Sequence, residues 1–123
     1  MTEDLFVEAV ERVVDAGGQA CVAIETATDA LRKACEARNA GRPVVEIVDE
    51  LIGAGGRETR LSAADAFREY ERAVASMRAG VVRALVDEGG LSLTEVAKRM
   101  KISRQAATRL YEAPPGRGVK GPD

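Results

Sequence analysis

The chain has 123 residues, with 18 basic and 20 acidic side chains, no histidine, no tryptophan and 3% aromatics. That length allows one domain, or a small domain with an extension. Without histidine, imidazole catalysis is excluded, and two cysteines are too few for a four-thiolate zinc site.

No apolar run approaches the roughly 18–20 residues that span a bilayer. The opening MTEDLFVEAV is acidic where a secretory signal would be basic. The expectation is a soluble cytoplasmic protein with no membrane partner, nucleoid-associated if it binds DNA. With so few aromatics the core must use Ala, Val, Leu and Ile. Alanine buries little area, so a second copy of the chain is expected to supply missing burial.

Residues 2–16 read as a short helix with an apolar stripe of Leu5, Phe6, Val10, Val13 and Val14, ended by Gly17-Gly18. Residues 19–39 read as a second helix, in which Cys21, Ile24, Thr28, Leu31 and Cys35 make a heptad-like seam. The two cysteines, about 21 Å apart on that helix, are beyond disulfide reach and are expected to be buried, reduced thiols. Gly41-Arg42-Pro43 breaks the chain, and Val44, Ile47, Val48, Leu51 and Ile52 outline a third helix. The glycines at 53, 55 and 56 lack both a preceding strand and the Lys-Ser/Thr of a phosphate-binding loop, so they read as a linker.

Ser62, with Asp65 three residues on, is expected to cap the longest helix, over residues 62–88. Phe67, Tyr70, Val74, Met77, Val81 and Ala84 repeat there at a three-four spacing and form a candidate dimer seam. The seam's partner is either the second helix of the same chain or the same helix of another subunit. The end of this helix, residues 77–86, would also serve as the first helix of a three-helix DNA-binding unit. No stretch sustains strand alternation, so the fold is expected to be all-α: N-terminal helices, then a long central helix leading into a C-terminal helix-turn-helix. The segments are 1–60, a helical body that dimerises or senses; 61–88, the connecting helix; 89–113, the helix-turn-helix; and 114–123, a flexible basic tail.

The segment from Ser92 to Glu112, SLTEVAKRMKISRQAATRLYE, carries the functional signal. Ser92 and Glu95 form a capping box, with Leu91 and Val96 as a hydrophobic staple. Val96, Ala97 and Met100 share one face, with Lys98 and Arg99 turned outward. Ser103 caps a second helix in which Ala107, Leu110 and Tyr111 face inward and Arg104, Gln105, Thr108 and Arg109 face out. Residues 93–112 resemble the helix-turn-helix of bacterial and phage transcription regulators. The likeness lies in small Ala97 at the helix crossing, Met100 ending the first helix, and Ile102, Ala107 and Leu110 locking the second. ISRQAATRLY also reads like the recognition helices of resolvase-type three-helix DNA binders. Two departures stand out: Lys101 occupies the turn where the family usually has Gly, and Ala107 is smaller than the usual Val or Ile.

Charge supports the same reading. Residues 91–123 hold seven basic and three acidic side chains, whereas residues 1–90 hold eleven and seventeen. A basic face supplies phosphate attraction, while an acidic body discourages unspecific coating of the duplex. Arg104 and Arg109 suit guanine, Gln105 suits adenine, and Thr108 a thymine methyl or a phosphate. Lys98, Arg99, Lys101 and Ser103 are placed for phosphates, which position without specifying. The tail PPGRGVKGPD is too short and too broken for a β-hairpin wing. Its Arg117 and Lys120 resemble arms that enter a minor groove.

The expected partner is therefore double-stranded DNA, bound by a homodimer whose recognition helices enter major grooves about 34 Å apart. The alternative is a protein-interaction module, an RNA-polymerase-associated or antitoxin-like factor, docking through Glu3, Asp4, Glu8, Glu11 and Asp15. An enzyme is not expected, since no nucleophile–base pair or carboxylate dyad is visible. No cofactor or metal is called for, and no small-molecule effector is specified.

Overall fold

The computed structural model describes residues 4–114. Among them are five helices and no strand: α1 (Leu5–Asn39), α2 (Val44–Gly53), α3 (Gly56–Asp87), α4 (Leu93–Met100) and α5 (Arg104–Glu112). The fold is all-α. It divides into two compact units, Met1–Asp15 with Glu71–Asp123, and Ala16–Tyr70. Each unit takes part of α1 and part of α3.

The first departure from expectation is that a single helix, Leu5–Asn39, replaces the two expected over 2–16 and 19–39. Asp4 starts it, its Oδ1 accepting from the amides of Phe6 and Val7 at 3.0 and 3.2 Å. Gly17 and Gly18 do not end it, and neither adopts a positive φ. Two interior glycines cost roughly 2 kcal/mol against alanine. Ala16 and Ala20, buried on either side, help to offset this. Gly17 also has a packing role, because a Cβ there would stand 3.3 Å from Cε1 of Tyr70.

The second departure concerns which stripe is buried. On α1, Ala9, Ala16 and Ala20 are buried, and Ala23, Ala27, Ala30, Ala34 and Ala37 are half-buried at three-four spacing. The expected seam of Cys21, Ile24, Thr28, Leu31 and Cys35 is exposed throughout. The two stripes differ by one residue, a rotation of about 100°. The cysteines are therefore exposed free thiols rather than buried ones. On α3 the same offset places Ala73 in the interior and leaves Phe67 exposed. Small side chains let helices approach closely, and that contact distance depends on the residues at the crossing.

The corners are tight. Gly41, at φ +95°, ends α1, and the Arg42 amide reaches back to the Ala37 carbonyl at 3.1 Å. Arg42 then donates to Glu46 at 3.0 Å and to Glu50 at 2.6 Å, fastening the first turns of α2. That bond holds the Glu50 carboxyl below the usual carboxylate range, so the corner loses support as pH falls.

The glycines after α2 do not form a linker. Gly55 takes φ +83°, and a Cβ on Gly56 would lie 2.8 Å from the Leu51 carbonyl oxygen. The chain thus turns within residues 54–55, and α3 starts at Gly56 rather than at Ser62. At 32 residues α3 is shorter than the 35 of α1, so α1 is the longer helix. No described helix is long and apolar enough to cross a membrane.

Gly18 has open space beside it, with nothing within 4 Å of an added Cβ. Gly18→Ala should therefore raise the unfolding free energy by about 1 kcal/mol. Gly17→Ala should gain clearly less, because its methyl meets the Tyr70 ring. Urea unfolding followed by circular dichroism compares the two; equal gains would refute the packing role given to Gly17.

Candidate nucleic-acid interface

The C-terminal helices are held by a small core. Val82 of α3, Val96 and Ala97 of α4 and Ala107 of α5 form a buried cluster, with Val82, Val96 and Ala107 at 0% exposure. Leu85, Val86, Leu91, Leu93, Met100, Ile102, Leu110 and Tyr111 pack around it. The last turns of α3 thus serve as the first of three helices, as the sequence suggests.

Local chemistry closes each backbone end. Ser92 Oγ accepts from the Glu95 amide at 3.1 Å, and Glu95 Oε1 accepts from the Ser92 amide at 2.8 Å, completing the capping box. The turn after α4 is a Schellman motif built on lysine. Lys101 sits at φ 61°, ψ 46°, the Ile102 amide bonds the Ala97 carbonyl at 3.0 Å, and the Lys101 amide bonds Lys98 at 3.3 Å. The left-handed conformation costs a non-glycine residue roughly 1–2 kcal/mol. Two capped carbonyls and the burial of Ile102 offset that cost. Ser103 Oγ then accepts from the Ala106 amide at 3.0 Å to start α5.

Two further bonds tie the end of α5 to α3, and sequence reasoning missed both. Tyr111 donates from its hydroxyl to Asp87 Oδ1 at 2.8 Å, and Arg83 donates to the Ala113 carbonyl. The available signal was Tyr111 itself: a part-inward tyrosine needs a partner for its hydroxyl. The bond to Asp87, followed by that carboxylate's charge, pushes the Tyr111 hydroxyl above its ordinary value of 10.0.

Most of the expected site residues are available on the surface. Arg104, Gln105 and Arg109 on α5 are exposed, as are Lys98 and Arg99 on α4, Lys101 in the turn, and Ser103. Thr108 is half-buried, and its hydroxyl donates to the Arg104 carbonyl at 3.0 Å, which leaves the methyl as its free group. The Ser103 oxygen accepts one bond in capping, and its proton remains to donate. None of Lys98, Arg99, Lys101, Arg104 and Arg109 forms an ion pair among the described residues. Glu95, the acidic residue nearest to them on α4, is occupied by the capping box.

Other expected residues lie apart from this cluster. Arg117 and Lys120 of the tail, and Glu3 of the acidic face, are outside the described residues. In the seam on α3, Phe67 is exposed and Tyr70, Val74, Met77 and Val81 are half-buried. Tyr70 is engaged within the chain by Gly17. Compared with protein-family models, curated proteins and solved structures, the chain matches none.

Lys101→Gly should raise stability by about 1 kcal/mol by relieving the left-handed strain; a loss of stability would contradict the turn geometry. The Tyr111 bond has its own signature. Its contribution is fully present below the ordinary tyrosine value and is lost as pH rises through the raised folded value. Unfolding free energy should thus fall more steeply in alkali for the native chain than for Tyr111→Phe, and parallel curves would exclude the bond.

Proposed function

We propose that this chain is a DNA-binding transcription regulator that acts as a homodimer through a wingless helix-turn-helix formed by α4 and α5. The observation that carries this reading is the outward face of α5. Gln105 and Arg109 are exposed there, opposite an Ala107 that is completely buried, and Arg104 is exposed in the first turn. A helix so seated offers guanidinium and amide groups to base edges while its packing fixes its orientation.

The cations around it suit phosphates. Lys98, Arg99 and Lys101 cluster at the end of α4 and in the turn, unpaired with carboxylates among the described residues. Pairing them with DNA therefore breaks no internal ion pair. Each phosphate neutralised releases condensed counterions, which makes affinity fall with salt. The division of labour follows: α5 specifies, and the end of α4 and the turn position.

Selection of bound duplexes from random DNA, followed by titration of variants, tests the reading. Arg104→Ala and Gln105→Ala should relax base preference, Arg104→Ala by about tenfold or more at one position. Lys98→Ala should weaken all sequences alike and lower the salt slope by about one. Removing residues 114–123 should lower affinity for A·T-rich flanks if Arg117 and Lys120 enter a minor groove. Failure to enrich any sequence, with no salt-sensitive binding at low ionic strength, would favour a protein-interaction module.

A further inference from the structure

The Ala16–Tyr70 unit carries an apolar surface that its own helices leave open. Ile47 of α2 is buried, but Val44, Val48 and Ile52, at four-residue spacing, are exposed together with Val45, by 43 to 71%. Beside them runs a groove of about 400 Å³ between α1, α2 and α3, lined by Ala27, Leu31, Val48, Ile52, Arg57 and Arg60 among others. Leu31 of α1 is 60% exposed at its edge.

We propose that this face is where a second copy of the chain docks, α2 crossing α2 antiparallel about a twofold axis at Val48. Spacing selects that geometry, because Val44 of one copy then meets Ile52 of the other. Area is compatible with a protein occupant. The five exposed side chains present on the order of 500 Å² per copy, as large as the roughly 300–600 Å² of a monomer's largest apolar patch, which is often functional. That approaches the roughly 800 Å² each partner of a specific complex buries.

Charge argues that the occupant is the same chain. Asp49 flanks the apolar stripe on α2, Arg57 and Arg60 stand at the groove, and none of the three forms an ion pair among the described residues. An antiparallel crossing brings the α2 of each copy toward the arginines of the other, a self-complementary arrangement of the kind twofold interfaces require. The proposal names the pairing surface for the dimeric regulator, and in that sense rests on that reading. Self-association is nonetheless measured without DNA, so the two can fail separately.

Sedimentation equilibrium of the full chain is the test. The native chain should be a dimer, and Val48→Glu should be monomeric with unchanged helical circular dichroism. Phe67→Glu, on the exposed side of α3, should stay dimeric. Asp49→Arg should weaken the dimer at least tenfold, and adding Arg57→Asp and Arg60→Asp should restore it. A monomeric native chain would overturn the proposal and leave the groove to another protein or a small apolar ligand. A dimer that survives Val48→Glu but dissociates on Phe67→Glu would also overturn it, in favour of the α3 seam.

Discussion

The close crossing of α3, α4 and α5 at Val82, Val96, Ala97 and Ala107 is the constraint on which the candidate interface depends. Alanine at 107 brings α5 down onto its neighbours, and the helical repeat then turns Gln105 and Arg109 outward, with Arg104 exposed in the first turn. The core is so small that its neighbours' caps matter as much as its burial. A fully buried valine contributes roughly 1.5–3 kcal/mol, and a serine cap contributes about 1 kcal/mol. Two serine caps, at 92 and 103, therefore rival one core residue. They also satisfy helix ends with hydroxyls and Glu95, leaving the lysines and arginines uncommitted.

Elsewhere the chain packs through small residues and displays large ones. Ala9, Ala16 and Ala20 on α1 and Ala73 and Ala79 on α3 are buried, while Phe6, Val22, Ile24, Leu31 and Phe67 are exposed. Alanine permits close approach but removes little surface from water. A chain built in this way retains apolar area for a partner, and the stripe on α2 beside its unpaired charges is the most self-consistent place for one. The proposed pairing surface and the proposed reader are thus distinct parts of one molecule with different chemistry: apolar in the first, cationic in the second.

What could be read from residues alone follows the range of the interactions involved. The caps at Ser92 and Ser103 and the inward set at Ala107 and Leu110 depend on neighbours within four residues, and these were legible. Lys101 stands out in the sequence as a departure from the usual Gly, but its left-handed geometry keeps the turn a glycine would make. Gly17-Gly18 was misread because a glycine pair ends a helix only when the chain leaves helical φ, and neither glycine does so here. The seam on α1 was misread because two stripes one residue apart, 20/23/27/30/34 and 21/24/28/31/35, both satisfy heptad spacing. Side-chain size at the crossing chooses between them, and that choice belongs to the partner helix. The exposure of Cys21 and Cys35 follows from the same rotation. The Tyr111–Asp87 bond spans 24 residues, so Tyr111 signals the need for a partner without naming it.

The central claim is that the cationic face of α4 and α5 is a reader of duplex DNA. Its most direct test is a fluorescence-anisotropy titration of the full chain against a random-sequence duplex across a salt series. Three or so phosphates per reader, in a dimer, predict a log–log slope of about −5. That slope should shrink when Lys98, Arg99 and Lys101 are replaced together by alanine. Binding that is absent at low salt, or that ignores both salt and those substitutions, would contradict the account.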